Sequence, residues 1–358
     1  MKLSINTVLL QEMVSRAMKG ASQNKLIVLT GLMAIELKNN QLRLITTDGS
    51  NYLYIRQDKV EGDDFYVVVQ VEQFSKLISR LTSENTTLEV DGSILTITGN
   101  GTYKIGLQMD EEGNLVQYPD PVAEFKFEGE AEEINLTTIK TILTTNKAAL
   151  AVTMEMPAYT GYYVGERVVS TDTYKICGLD VSVFEEPMLI SPEMMNLLDV
   201  MSEEKIQVDV ADDVLVFTTP DCVVYGHKME GIEDYQIDAI TQLLTEDFDS
   251  FCKVSKTDLL AALDRIALFV DQYDNKAITL TFTKDGLNIS SKQSSGVEVL
   301  PYIASDKFKA YTCKIDIVML TTQVKALVTD AVTIHYGNER SIKMTEGNIT
   351  QVIALLEE

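Results

Sequence analysis

Positive charge is scarce in this chain. Its 358 residues include 30 lysines and arginines against 54 aspartates and glutamates, a formal net charge of −24 at pH 7. Taken alone, that balance argues against nucleic-acid binding, because phosphate contacts need cations. Histidine is scarcer still, with 2 in all. Neither His227 nor His335 has a cysteine or second histidine at zinc-ligand spacing. Both stand in strand-like runs, which favours a structural role. The 4 cysteines, Cys177, Cys222, Cys252 and Cys313, lie far apart, as expected of buried free thiols in a reducing cytoplasm. No apolar run reaches the roughly 18 residues of a membrane span. The start, Met1-Lys2-Leu3-Ser4-Ile5-Asn6, lacks the apolar core of a signal peptide. The expectation is a cytoplasmic protein without membrane contact. P-loop and GxSxG motifs are also missing. Gly99-Asn100-Gly101 superficially resembles a nucleotide loop. However, Lys104 stands where a further glycine is needed, and the flanking runs are strands, so a hairpin turn is expected. No cofactor and no metal is implied, and the chain is not expected to be an enzyme.

What the chain does have is a repeat. Phe74, Leu77, Ile78 and Leu81 follow the spacing of one buried helix face. Strand-like runs follow at Thr87–Val90, Ile94–Ile97 and Tyr103–Met109. The block returns 120 residues on: the helix at Met194 to Met201, strands at Gln207–Val210 and Val214–Phe217, and Gly106 and Met109 as Gly226 and Met229. A looser third copy holds a helical run Val318–Leu327 and strands at Thr333–Tyr336, Ser341–Met344 and Val352–Leu356. The front of the module also recurs. Val8, Leu9, Met13, Val14 and Ala17 are echoed by Ile139, Ile142, Leu143 and Ala149, then by Leu259, Leu260, Leu263, Ile266 and Ala267. Thr47-Asp48-Gly49 is echoed by Thr171-Asp172-Thr173, where Asp48 and Asp172 are expected to brace similar turns. Order and spacing kept over so many elements predict an α+β fold of three tandem domains, each with two helices against antiparallel sheets. Their borders are placed at 1–121, 122–245 and 246–358, the first at the turn-prone Tyr118-Pro119-Asp120-Pro121. Ser191-Pro192-Glu193 and Ser255 mark helix starts.

The few cations gather on the repeated helices. Arg16 and Lys19 share a face, as do Lys76 and Arg80, and Lys140 and Lys147. Any one pair reads as solvated helix surface. As a set, equivalent helices in successive modules predict one locally positive wall. Modules joined head to tail by like contacts turn by a fixed angle. Three would span half a circle and two chains would close it, cations inside and acid outside. Double-stranded DNA in the hole would be held topologically, through weak, sequence-independent phosphate contacts that permit sliding.

The residues then resemble the sliding clamps of bacteria and their phages, the beta subunits of DNA polymerase III. The resemblance spans the chain and is clearest in Ile27-Val28-Leu29-Thr30-Gly31, Ser170-Thr171-Asp172-Thr173-Tyr174-Lys175 and Leu260-Ala261-Ala262-Leu263-Asp264-Arg265-Ile266-Ala267-Leu268. It implies a non-catalytic processivity factor: a homodimeric ring, placed on DNA by a clamp loader, that tethers the DNA polymerase during replication. It adds Gln23 and Lys25 to the DNA-facing set. It implies a pocket for linear peptides of polymerase and loader at Tyr159, Thr171, Thr173, Tyr174, Lys175, Ile176, Ile237, Ile317, Ser341, Val352, Ala354, Leu355 and Leu356. It implies a dimer contact in which Tyr103 and Ile105 meet Leu268 and Phe269.

The chain departs from the family where partners bind. Tyr174-Lys175 stands in place of the usual His-Arg, Ala354-Leu355-Leu356-Glu357 replaces a segment with proline and arginine, and Gln23 replaces a DNA-approaching arginine. These changes imply a ring with its own peptide specificity. The competing reading is an acidic scaffold or DNA mimic that shares the fold without encircling DNA.

Overall fold

The computed structural model describes residues 1–22, 26–126, 129–153, 155–270, 276–291, 295–305 and 308–357. Contacts gather the chain into two compact units, Met1–Ile139 with Glu193–Lys228, and Lys140–Pro192 with Met229–Glu358. These limits do not follow the repeat borders at 121 and 245, because strands of neighbouring repeats pair with each other.

In the first unit an antiparallel eight-stranded sheet runs Phe65–Gln70, Leu32–Lys38, Gln41–Thr47, Tyr52–Asp58, Cys222–His227, Val214–Thr219, Lys205–Ala211, Glu132–Asn135. The first four strands come from the first repeat and the last four from the second. They meet in the ladder from Cys222↔Ile55 to Tyr225↔Tyr52. A four-stranded sheet, Lys2–Asn6, Asn85–Asp91, Ile94–Thr98 and Thr102–Gly106, completes the unit. The second unit has the same plan. Its nine-stranded sheet joins Lys175–Leu179 to Ile349–Ala354, from Lys175↔Ile353 to Leu179↔Ile349, and so fuses strands of the second and third repeats. Its four-stranded sheet runs Val297–Leu300, Gly286–Ser291, Ala277–Thr283, Tyr311–Asp316.

The described α-helices are α1 (Thr7–Ala17), α2 (Val71–Ile78), α3 (Pro121–Glu124), α4 (Leu136–Thr145), α5 (Pro192–Leu198), α6 (Ile237–Thr245), α7 (Lys256–Ala267) and α8 (Ile317–Ala326). Six stand where the repeat predicts them; α3 and α6 are additional. None is long and apolar enough to cross a membrane. Caps set their phase. The Asn6 side chain accepts from the amides of Val8 and Leu9, which starts α1 at Thr7. The buried stripe is therefore Leu10, Met13, Val14 and Ala17, and Val8, expected within it, is 69% exposed. In α7 the stripe is Leu259, Ala262, Leu263 and Ile266, capped by Ser255, while Ala267 faces out. The Asp316 carboxylate caps α8 in the same way.

The turns follow the sequence closely. Gly99-Asn100-Gly101 closes a hairpin, and the Asn100 side chain accepts from the amides of Thr82 and Ser83. The two Thr-Asp turns are copies. Asp48 accepts from the amides of Ser50 and Asn51, and Asp172 from those of Tyr174 and Lys175. Thr47 and Thr171 each donate to a carbonyl four residues on. The third position is left-handed in both, Gly49 at φ 105° and Thr173 at φ 77°. The linker after residue 117 is packed down. Tyr118 is buried among Leu32, Ala34, Tyr54 and Val216, and Asp120 pairs with Arg43 at 3.2 Å. All four cysteines are buried and free.

Candidate functional site

The residues expected to form a peptide pocket all lie in the second unit, and the structure sorts them by access. Tyr159, Ile176 and Val352 are buried in one apolar cluster with Val169, Leu189, Tyr235, Ile240 and Leu244. Strand register brings two of them together, since Ile176 faces Val352 across the repeat junction. Ile237, at the start of α6, lies partly exposed against this cluster. Ser341 sits opposite Ala354, and its buried hydroxyl has no hydrogen-bond partner among the described residues. Thr171 is buried in its turn, which leaves Thr173 exposed and Tyr174 61% exposed. The Ala354 amide donates to the Tyr174 carbonyl at 2.9 Å, so the partly open side chains of Ala354, Leu355 and Leu356 follow on from Tyr174. Ile317 stands apart from the cluster. It is buried as the first residue of α8, and the Leu356 amide reaches only the carbonyl of Lys314 nearby.

Lys175 does not offer its charge to this surface. Its ammonium donates to the Ala148 carbonyl at 2.8 Å and lies 3.2 Å from Asp172. Tyr159 is held rigid from behind. Its ring meets Tyr235 edge-on at 5.0 Å, and the Tyr235 hydroxyl donates to the Val169 carbonyl at 3.1 Å. The accessible surface is therefore apolar and aromatic, on a rigid sheet-and-helix base.

The cations separate into spent and available ones. Arg16 corrects an expectation: it is half-buried and committed inside the first unit. Its guanidinium donates to Asp221 at 2.7 Å and to the Val200 carbonyl at 3.1 Å. Ser202 and Thr219 also donate to Asp221. Burial alone would raise that carboxyl's pKa, but the hydrogen bonds from Arg16, Ser202 and Thr219 bring it below the ordinary value. Lys76 is exposed and pairs with Glu72 one turn earlier. Lys19, Arg80, Lys140 and Lys147 are exposed, and among the described residues none is in an ion pair. Gln23 and Lys25 lie outside the described residues.

The expected dimer residues lie on or beside two sheet edges. Thr102–Gly106 ends the four-stranded sheet of the first unit, with Tyr103 partly exposed. Ile105 corrects an expectation: its side chain is buried at 3% exposure and points into the core beside Leu95. In the second unit Leu268 is 81% and Phe269 54% exposed just past α7. The Phe269 ring lies so close to Gly296 that a Cβ there would come within 2.9 Å of it. The adjoining edge strand Val297–Leu300 exposes Val297 and Val299, an alternation readable in Val297-Glu298-Val299 that sequence reasoning did not use. Arg265 clamps Glu298 with two hydrogen bonds of 2.6 Å.

Solved structures match this architecture end to end. The beta subunit from DNA polymerase of Streptococcus pyogenes superposes with a TM-score of 0.87 at 16% identity over 100% of both chains. The DNA polymerase sliding clamp from Bacillus subtilis gives 0.83 at 17% identity over 100% of this chain and 99% of that one. This chain has the sliding-clamp fold. In sequence, the beta sliding clamp of Bacillus subtilis (strain 168) is 22% identical over 338 residues, 86% of this chain and 85% of that protein. No protein-family model matches. The sliding-clamp fold is thus kept here at 16–22% sequence identity. The clamp-fold neighbours also include DNA polymerase III beta subunit of Thermotoga maritima, at a TM-score of 0.81 and 16% identity over 100% of this chain and 99% of that chain.

Proposed function

We propose that this protein is a DNA sliding clamp: a non-catalytic, cytoplasmic processivity factor that closes as a homodimeric ring around duplex DNA and tethers the replicative polymerase. The observation that carries the reading is the match over the whole chain to solved DNA polymerase clamps, combined with a module that recurs in sequence. In this reading the chain carries three domains, 1–121, 122–245 and 246–358, although strand pairing fuses neighbouring repeats into common sheets. The exposed cations Lys19, Lys76, Arg80, Lys140 and Lys147 face phosphate, with Gln23 and Lys25 beside them. Because a ring holds DNA by enclosure, so few cations suffice despite the net acidity. Arg16 serves to fasten α1 and is not counted among them.

The dimer contact joins the edge strand bearing Tyr103 to the edge bearing Val297 and Val299, with Leu268 and Phe269 as apolar anchors. Such pairing would satisfy two open sheet edges at once. The peptide pocket is the apolar surface of Tyr174, Ile237, Ala354, Leu355 and Leu356 over the buried base of Tyr159, Ile176 and Val352. Polymerase and clamp loader would dock there by linear peptides. Retention on DNA of two shapes tests the reading. Once placed on DNA by a clamp loader with ATP, the protein should stay on closed circular DNA through gel filtration and be lost when the circle is cut, and its solution mass should be that of a dimer. Equal retention on cut and closed DNA would refute encirclement.

A further inference from the structure

Beside the peptide surface, the second unit opens into a cleft of about 490 Å³. Its floor is Ala158 and Tyr159, its wall Met156, and its rim the carboxylates of Glu155, Glu230 and Asp234. Tyr159 is shared with the apolar cluster under the peptide surface, and Gln236 of the cleft adjoins Ile237, so the two sites are continuous. Among the described residues none of the three carboxylates is in an ion pair. Lys175, the cation in the neighbouring turn, is bound to Ala148 and Asp172. Glu233 and Asp238 add exposed acid on the same connecting stretch.

An apolar floor ringed by unneutralised carboxylates has a complementary occupant. We infer that this cleft takes a basic stretch of the partner peptide, lysines or arginines flanking an apolar anchor, and that partners are selected there by positive charge. The inference rests on the reading of the adjoining surface as a peptide pocket. A peptide with acidic flanks would meet like charge on the rim and be rejected, while a basic one would gain both affinity and association rate.

Fluorescence anisotropy with three short labelled peptides tests this. All share a Leu-Phe anchor, and the flanks are lysines, serines or glutamates. At about 50 mM salt the lysine peptide should bind about tenfold tighter than the serine peptide, and the advantage should shrink to about twofold near 0.5 M. The triple variant Glu155→Gln, Glu230→Gln, Asp234→Asn should bind the serine peptide as before and lose the lysine advantage. Equal binding of lysine and serine peptides would overturn the inference and leave the pocket standing, as would a lysine advantage that survives in the triple variant. The control Ile237→Asp should abolish binding of every peptide. If none of the three binds the native protein, the pocket reading falls and this inference falls with it.

Discussion

Replacing Arg16 by methionine asks whether α1 is fastened by an ion pair or lends its charge to DNA. Methionine keeps the apolar stem and removes the hydrogen bonds to Asp221 and to the Val200 carbonyl. The side chains of Arg16 and Asp221 are 19% and 31% exposed. That places the pair between exposed pairs, worth up to about 1 kcal/mol, and fully buried ones, whose breakage costs about 3–5 kcal/mol. A loss of about 2 kcal/mol is expected, read as a lower urea midpoint at pH 7. The effect has a pH signature. The Asp221 pKa is depressed in the folded state, so its contribution is present above the unfolded carboxylate value of about 3.9 and is lost as pH falls through the lower folded value. The gap between native and variant proteins should therefore narrow in strong acid. A charge swap away from this pair supplies the contrast. Lys76→Glu with Arg80→Glu should cost no more than about 1 kcal/mol, since it turns the exposed Lys76–Glu72 pair into a like-charge one, and should weaken retention on circular DNA. An Arg16→Met protein with a native urea midpoint and weakened DNA retention would refute the reasoning and return Arg16 to the DNA-facing set.

Phe269→Asp should halve the solution mass by placing a charge in an apolar contact, without lowering the stability of the protomer, because the ring is exposed; sedimentation distinguishes the two outcomes. In the paired Thr-Asp turns, Gly49→Ala should cost about 1–2 kcal/mol at φ 105°, whereas Thr173→Gly at φ 77° should be neutral or gain about 0.5 kcal/mol, both by denaturant titration. His335 is pressed down to about 4, first by burial and then by the nearby Lys343 ammonium. Its contribution to stability should be complete above the ordinary imidazole value of about 6.5 and be lost as pH falls towards about 4. His335→Gln should flatten that part of the stability–pH curve, and imidazole titration by NMR should show the ring still mostly neutral at pH 5.

Local signals were read well from the sequence. Ser255, Pro192 and the two Thr-Asp turns lie where their chemistry puts them, because a cap or an Asx turn is decided within a few residues. Phase within a helix was read less well. Val8 and Leu10 are both apolar, and only the Asn6 cap and the packing of the helix choose between them. Long-range side-chain pairing was not legible at all. Arg16 meets an aspartate 205 residues away, and nothing near either residue announces the other. Pairing of edge strands across the repeat borders is expected from the head-to-tail modules, but which strands meet, and in what register, is not, since an exposed alternating strand looks the same whether its edge stays open or meets a neighbour. Ile105 shows the limit of carrying a role by position: its strand lies at an edge, yet its side chain belongs to the core. Helix α6 could have been found from Ile237, Ile240 and Leu244, which fall on one face.

The ladder between Tyr52–Asp58 and Cys222–His227 governs how the chain would come apart under a protease. A single nick between residues 125 and 132 severs the covalent link from the first repeat to the second. It leaves untouched the strand that clasps residues 52–55 and the Arg56 guanidinium that donates to the Thr219 carbonyl. The two fragments would stay associated through gel filtration and part only in denaturant. Expressed separately, they would be candidates for reassembly, each completing the other's sheet.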